Sequence, residues 1–172
     1  IDYFPLQVEY REKYYAAGRF PGGFFKRESR PAEKETLTAR MTDRPLRPLF
    51  PDGYRNDVQI NNMLLSADGD SDSDVLSILA SSASLTLSEI PFNGPIAGVR
   101  IGRVNGKIVL NPTHGERAEA DLDMIYSCTR DLPLMIEGEA REISEKDLLA
   151  AMKIAHAECV KLIDAQLELR RK

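Results

Sequence analysis

Hydrophobic residues recur along this chain at helical spacing in some segments and at strand spacing in others. Leu37 and Met41 stand four apart within residues 31–43, PAEKETLTARMTD, so they share one helix face, and Pro31 suits the first turn of such a helix. The proline-rich segment DRPLRPLFPDG follows, and we expect it to end this helix. A second helix is predicted for residues 74–88, where the run ILASSASLTL is rich in small side chains that pack closely against a sheet.

The longest amphipathic pattern lies near the carboxyl end of the chain. Ser144 precedes it and is a suitable N-cap. The apolar residues of this segment recur at the spacing of one helix face. They are Leu148, Met152, Ala155, Cys159 and Leu162. The pattern predicts a long helix that buries one side.

Strand-like runs separate the helices, and one pair of them carries a specific turn. Asn105-Gly106 stands between the β-prone runs 98–104 and 107–110, an arrangement that favours a type I′ hairpin. The other strands are predicted at 58–67, 122–128 and 134–137. Together the elements predict an α+β fold.

Composition places the chain among ordinary globular proteins. Its 172 residues suffice for one hydrophobic core, with 42% hydrophobic and 29% charged residues. No apolar run approaches the about 20 residues that cross a bilayer, and the opening IDYFPLQVEY is not a basic and apolar leader, so we expect no membrane or targeting segment. Cys128 and Cys159 lie among apolar residues without a metal-ligand spacing, which is typical of reduced, buried thiols.

Charge is distributed unevenly along the chain. Residues 1–55 carry 11 Lys and Arg against 8 Asp and Glu, a balance of +3, whereas the remaining residues carry 12 against 19, a balance of −7. Because salt screens charges beyond about 8 Å at physiological ionic strength, a local basic patch can bind phosphates on a protein of net negative charge.

A short segment within the basic part, PGGFFKRESRP, combines two aromatic rings with cations. The Pro-Gly-Gly turn suits a projecting loop, on which Phe24 and Phe25 can stack on unpaired bases while Lys26 and Arg27 neutralise phosphates. The alternative is that both rings fold back into a local core and the cations form a solvated rim.

Three arginines form a second basic group. Arg40, Arg44 and Arg47 follow one another at spacings of four and three, which aligns them along one face of a helix and its exit. The prolines between them stiffen the backbone, so the segment can hold guanidinium groups in place. The alternative is structural ion pairing with Glu33, Asp43 or Asp52.

Long motifs in this chain resemble a known family. The stretch AAGRFPGGFFKRESRPAEKETLTARMTDRPLRPLFPDGY is similar to the first ribonuclease-PH-type domain of the polynucleotide phosphorylases, and the similarity continues through IPFNGPIAGVRIGRVNGKIVLNPT into REISEKDL. It implies a ribonuclease-PH-like fold, a mixed sheet with packed helices related to domain 2 of ribosomal protein S5. The segment from IYSCTRDLP onward is also similar to organellar members, whereas PGGFFKRE is like the bacterial ones.

The resemblance implies a phosphorolytic 3′→5′ exoribonuclease that degrades and processes single-stranded RNA. In this family inorganic phosphate attacks the terminal linkage and releases nucleoside diphosphates. The family implies a ring-shaped homotrimer, partners in RNA-degradation complexes, and the cytoplasm or an organelle as location. By the same resemblance, Phe24, Phe25, Lys26 and Arg27 lie at the constriction of the ring's channel. Arg30, Arg44 and Arg47 match basic residues near the same RNA path.

The chain resembles only part of such an enzyme. Residues 1–166 match the greater part of the first core domain, and residues 167–172 match the start of a helical linker. In this family Mg²⁺ and inorganic phosphate act in the second core domain, so we expect neither catalytic residues nor a metal in this segment.

A would-be phosphate pocket in the chain is acidic. Active ribonuclease PH proteins grip phosphate with a Gly-Gly-Thr-Arg turn, where this chain has ADGDSDSDV at 67–75. Carboxylates repel a phosphate dianion, and we expect no nearby cation to offset them, so this pocket should not bind inorganic phosphate. Tyr126 and Leu132 match the positions of the magnesium-binding aspartates of active members, with Asp131 one residue away. A calcium loop is the alternative for the aspartates, but Leu79 replaces its closing glutamate.

Two rival functions remain from the sequence. One is an autonomous, catalytically dead RNA-binding or scaffold protein. The other is a small α+β enzyme that acts on a phosphorylated metabolite, although no phosphate loop is recognisable. His114 and His156 lack a nucleophile or metal pattern, so structural roles are expected for both.

Overall fold

The computed structural model describes residues 3–23, 28 and 30–172. Within them, strands and α-helices follow in the order β1, α1, β2, α2, β3, β4, α3, β5, β6, α4. The strands are β1 Leu6–Glu12, β2 Val58–Leu64, β3 Ala97–Val104, β4 Lys107–Leu110, β5 Leu122–Cys128 and β6 Pro133–Ala140. The helices are α1 Glu33–Leu46, α2 Asp74–Leu87, α3 His114–Glu119 and α4 Glu145–Arg171. Short 3₁₀ turns cover Tyr14–Ala17 and Arg47–Leu49.

The strands form two sheets. β1 and β2 pair in parallel, and the second sheet is antiparallel with the order β4-β3-β5-β6. Because side chains alternate along a strand, β5 contributes to both faces of its sheet. Ile125 packs in a core with α1, α2 and the parallel pair, whereas Met124 and Tyr126 pack against α4. The chain is therefore layered as parallel pair, two helices, antiparallel sheet and long helix.

Several elements agree closely with the sequence. The Asn105-Gly106 hairpin is present between β3 and β4, with φ of 51° at Asn105 and 75° at Gly106, as a type I′ turn requires. Ser144 caps α4 by accepting a hydrogen bond from the Asp147 amide at 3.2 Å. The free, buried cysteines predicted from the sequence, Cys128 and Cys159, are confirmed.

The predicted end of the first helix is wrong. α1 begins at Glu33 rather than Pro31, and it continues through Pro45 to Leu46. A proline inside a helix costs about 3 kcal/mol. Pro45 and Leu46 are fully buried, so packing in the core outweighs this local penalty.

Other boundaries shift, and one strand was not anticipated. β2 ends at Leu64, earlier than the predicted residue 67, and β6 extends over Pro133–Ala140 rather than 134–137. β1 has no alternating burial along its length, since only Leu6 and Tyr10 of this strand are buried. The sequence pattern of β1 is therefore weak, and β1 is stabilised as a strand by its pairing with β2 and its packing on α1. No helix in the described ranges is long and apolar enough to cross a membrane.

Candidate nucleic-acid interface and the charged cleft beside it

The aromatic and cationic residues Phe24, Phe25, Lys26 and Arg27 lie outside the described residues. Their assignment to RNA therefore stays a prediction from the sequence. Their described neighbours, Arg19 before the segment and Arg30 after it, line the same groove.

This groove, which we call the cationic groove, has a volume of about 590 Å³. It lies between the end of β1, the first 3₁₀ turn and the start of α1. Its charged lining residues are Arg11, Glu12, Lys13, Arg19, Glu28, Arg30, Lys34 and Glu35. Five of these are cations and three are carboxylates.

The carboxylates of the cationic groove are already engaged. Glu35 accepts hydrogen bonds from the amides of Glu12 at 2.7 Å and Ala32 at 2.5 Å, which ties the start of α1 to the end of β1. Glu28 accepts from the Tyr14 amide at 2.8 Å, and this hydrogen bond is the main cause of the lowered pKa of Glu28.

Salt bridges engage both lysines of the cationic groove. Lys13 lies 3.1 Å from Glu28, and Lys34 lies 3.0 Å from Glu12. Arg19 and Arg30 make no ion pair with any other described residue. The groove therefore presents net positive charge at these two arginines.

The three arginines of α1 and its exit do not form one array. Arg47 bonds to both carboxylate oxygens of Asp43, at 2.9 and 2.6 Å, and donates to the Phe4 and Leu6 carbonyls at 3.0 Å each. Asp43 is one of the structural partners that the sequence offered as the alternative. These bonds fasten the end of α1 to β1.

Arg44 points to a different element. Its guanidinium lies 2.6 Å from Glu137 of β6, and both side chains are about half exposed. Arg40 is exposed on α1. Contact of Arg30, Arg44 or Arg47 with RNA stays a prediction.

A second concave site, which we call the charged cleft, has a volume of about 670 Å³ and lies between α1, α2, β5 and β6. Nine charged side chains line it. Three of them, Glu33, Glu137 and Glu139, lie outside its central network of ion pairs, and the other six form that network. They are Lys34 of α1, Asp72 before α2, Asp74 of α2, Arg100 of β3, Arg117 of α3 and Asp123 of β5.

Arg100 is the centre of the charged cleft. It is 9% exposed, pairs with Asp74, and donates to Asp123 at 2.6 Å. Arg117 donates from Nε to the other oxygen of Asp123 at 2.8 Å and also pairs with Asp72. Both arginines thus bridge two carboxylates.

The pKa of Asp72 reflects these contacts. Burial alone would raise it, but the hydrogen bond and charge of Lys34, at 3.1 Å, together with the charges of Arg117 and Arg100, hold it below the usual aspartate value. In Arg100, burial would lower the pKa, and the charges of its aspartate partners raise it instead. The opposite charges of the cleft therefore stabilise the ionised forms of Asp72 and Arg100.

The expectation that no cation stands near the aspartates is wrong. Lys34, Arg100 and Arg117 all reach Asp72 or Asp74, and they come from elements far away in the sequence. These cations and Asp123 were missed because nothing in the sequence indicates which distant residues will meet. In the pattern of β3, Arg100 appears only as a polar interruption of an apolar run. Three cations face the three aspartates, so their charges balance locally. Glu33, Glu137 and Glu139 also line the cleft, so its carboxylates still outnumber its cations, and the cations present are already paired.

Tyr126 and Leu132, the residues matched to metal-binding positions, do not enter the charged cleft. Tyr126 lies on the opposite face of β5, where its hydroxyl meets Nδ1 of His156 at 3.0 Å. Leu132 and Asp131 are exposed in the turn before β6. Among the described residues, no group of three or more His, Cys, Asp or Glu side chains could hold a metal ion.

The histidine interpretation holds for His156. Besides its contact with Tyr126, its Nε2 lies 2.9 Å from the Arg130 carbonyl, so both ring nitrogens have structural partners. His114 is half exposed, 4.0 Å from Asp72 at the edge of the charged cleft.

Comparison with known proteins places these sites in a family. Residues 1–91 match the model for domain 1 of the 3′ exoribonuclease family, and residues 94–158 match the model for its domain 2. The chain belongs to the 3′ exoribonuclease family. The charged cleft forms where the two matched segments meet, since Asp72 and Asp74 come from the first and Arg100, Arg117 and Asp123 from the second.

Relatives within this 3′ exoribonuclease family are much longer than the chain. It is 54% identical to the polyribonucleotide nucleotidyltransferase of Methylacidiphilum infernorum over 99% of the chain and 24% of that relative. The same identity holds for the protein of that name from Sulfurihydrogenibium azorense, over the full chain and 24% of the relative. The chain thus spans about a quarter of their length, and the resemblance noted in the sequence is confirmed.

A solved structure supports the fold of this exoribonuclease-family chain. Rice (Oryza sativa) Rrp46 aligns with a TM-score of 0.69 over 94% of this chain and 71% of its own, at 13% sequence identity. At that identity the likeness shows the fold alone. It confirms the predicted ribonuclease-PH-like α+β class.

Proposed function

We propose that the chain is the RNA-binding first core domain of a phosphorolytic 3′→5′ exoribonuclease, a polyribonucleotide nucleotidyltransferase that degrades and processes RNA. The strongest support is the 54% identity that extends over 99% of the chain to a relative of that name. The cationic groove supports RNA as the ligand, since net positive charge at Arg19 and Arg30 suits a phosphate backbone.

In this proposal the chain binds RNA and does not catalyse its cleavage. An attacking phosphate dianion needs free cations, but Arg100 and Arg117 of the charged cleft each bridge two aspartates. Magnesium needs free carboxylate oxygens, but both oxygens of Asp72 and of Asp123 face cations. Asp74 has one oxygen on Arg100 and the other on the Val75 amide. The cleft fits neither group, so phosphate and Mg²⁺ are assigned to the second core domain of the full enzyme.

The proposal extends to assembly. In a homotrimer, Phe24, Phe25, Lys26 and Arg27 would hold the single strand at a central constriction, with Arg30, Arg44 and Arg47 along its path. The proposed location is the cytoplasm, with an organelle as the alternative, and RNA-degradation complexes are the proposed partners.

Phosphate-dependent release of ADP from poly(A) tests the enzymatic part. The assay compares this chain with a longer natural form that includes a second core domain. We expect ADP release, and its dependence on added phosphate, only with the longer form. ADP release by this chain alone would refute the proposal that the charged cleft does not bind phosphate. If neither form releases ADP, the phosphorolytic assignment is refuted.

An autonomous RNA-binding or scaffold protein is the alternative. Fluorescence anisotropy with a labelled single-stranded RNA, together with the natural length of the coding sequence, separates the two. An active longer form favours the enzyme domain. A coding sequence that ends with this chain, combined with RNA binding, favours the autonomous protein.

A further inference from the structure

Two exposed aromatic side chains, Phe20 and Tyr15, lie beside the cationic groove; the Tyr15 hydroxyl donates to Met63 Sδ at 3.5 Å. Phe20 is 92% exposed and Tyr15 is 53% exposed, although large aromatic residues are normally buried. With Arg19 and Pro21 they line a hollow of about 440 Å³. We call Tyr15, Arg19 and Phe20 the aromatic platform.

The backbone of residues 14–19, which leads to Phe20, is held by hydrogen bonds. Gly18 adopts φ of 66° and donates to the Tyr15 carbonyl at 3.0 Å, and Arg19 donates to the Tyr14 carbonyl at 2.9 Å. Ala67, just after β2, donates to the Ala16 carbonyl at 2.9 Å. Hydrogen bonds therefore fix the turn that carries Tyr15 and Arg19, and Phe20 follows it directly.

Charge indicates the chemistry of the ligand. Arg19 and Glu28 line both the hollow and the cationic groove, so the two surfaces are continuous. Glu28 is engaged with Lys13 and the Tyr14 amide and does not offset Arg19. A flat apolar surface thus adjoins arginines that have no carboxylate partner among the described residues.

We propose that the aromatic platform stacks unpaired bases of single-stranded RNA, with Phe20 as the stacking ring and Arg19 on the adjacent phosphate. This inference rests on the proposed function, because it takes RNA as the ligand of the groove. A ring beside a guanidinium suits bases and phosphates together, and any base can stack, so the site tolerates any sequence.

Fluorescence anisotropy tests the platform with two labelled probes. One is an oligoadenylate of about 12 nucleotides, within the site sizes of single-strand binders, and the other is an abasic ribose-phosphate oligomer of equal charge. Phe20→Ala should weaken oligoadenylate binding about 5-fold or more, the factor that weak base–aromatic stacking supplies, and should leave abasic binding unchanged. Phe20→Leu should lose most of the same factor, since it keeps apolar area without a ring. Tyr3→Ala is the matched control, because Tyr3 is also an exposed aromatic residue, at 67%.

The outcomes separate this inference from the proposed function. Unchanged oligoadenylate binding by Phe20→Ala, or equal losses on both probes, would overturn the platform while leaving the phosphorolysis assay unaffected. A wild-type chain that binds both probes equally would also overturn it, and would leave a protein ligand as the explanation for Phe20. A longer form without phosphorolysis, combined with the expected Phe20 effect, would refute the enzyme and retain the platform.

Discussion

Arg100 should be the most important ionic residue for the stability of this domain. It is 9% exposed and joins Asp74 of α2 to Asp123 of β5. Replacing Arg100 with Met keeps much of the apolar stem and removes the guanidinium, so the change in free energy of unfolding reports mainly the lost charge contacts. Asp74 then loses its cation inside the protein, whereas Asp123 retains Arg117 at 2.7 Å.

The expected cost follows from this difference between the two aspartates. Removing one partner of a buried ion pair costs about 3–5 kcal/mol, because the remaining charge stays buried without compensation. Since Asp123 keeps a partner, we expect the lower end, about 3 kcal/mol. For a domain of this size, that loss lowers Tm by about 6–12 °C.

Urea denaturation at neutral pH, followed by circular dichroism, measures the loss for Arg100→Met. Arg44→Met is the matched control, because the Arg44–Glu137 pair is similar in length, 2.6 Å, but half exposed. An exposed pair of this kind contributes about 0–1 kcal/mol. If both variants lose the same free energy of unfolding, the reasoning about burial in the charged cleft is refuted.

Three further predictions follow from other residues. The lowered pKa of Asp72 stabilises the fold at pH values above the ordinary aspartate pKa, about 3.9, and this stability is lost as pH falls through the folded pKa. Asp72→Asn should therefore be less stable than wild type at pH 7. In urea titrations at acid pH, the difference in free energy of unfolding between the two proteins should disappear. Gly138→Ala should lower the free energy of unfolding by about 1–3 kcal/mol, because its Cβ would clash with the Asp123 carbonyl of β5. Gly115→Ala is the control: its Cβ would meet nothing within 4 Å, so its stability in the same denaturation assay should stay near that of the wild type. Phe24→Ala combined with Phe25→Ala should weaken binding of single-stranded RNA several-fold without lowering Tm; a lower Tm with unchanged RNA affinity would show instead that the two rings pack in a core.

Local rules predicted the parts of the fold that depend on neighbours in the sequence. The Asn105-Gly106 hairpin and the Ser144 cap of α4 need only a few adjacent residues, and both agree with the structure. The same rules placed the end of α1 before Pro45, because they do not include the burial of Leu46.

The candidate site could be predicted only in part. The sequence pointed to Arg30, which lines the cationic groove, and to the acidic segment before α2, and its long motifs identified the family. It did not identify Arg100 or Arg117 as the partners of these aspartates, nor Phe20 as exposed. Separation along the chain does not reveal which charges will lie within 3 Å of one another.

The sequence by itself therefore determined the family, the α+β class and the locally encoded turns and caps. The tertiary structure alone decided that Arg47 binds back to β1, and that cations from α1, β3 and α3 pair with the aspartates of the charged cleft. The physical reason is range. Backbone preferences act between residues a few positions apart, whereas ion pairing and burial depend on distances that exist only after α1, β3 and α3 have packed together.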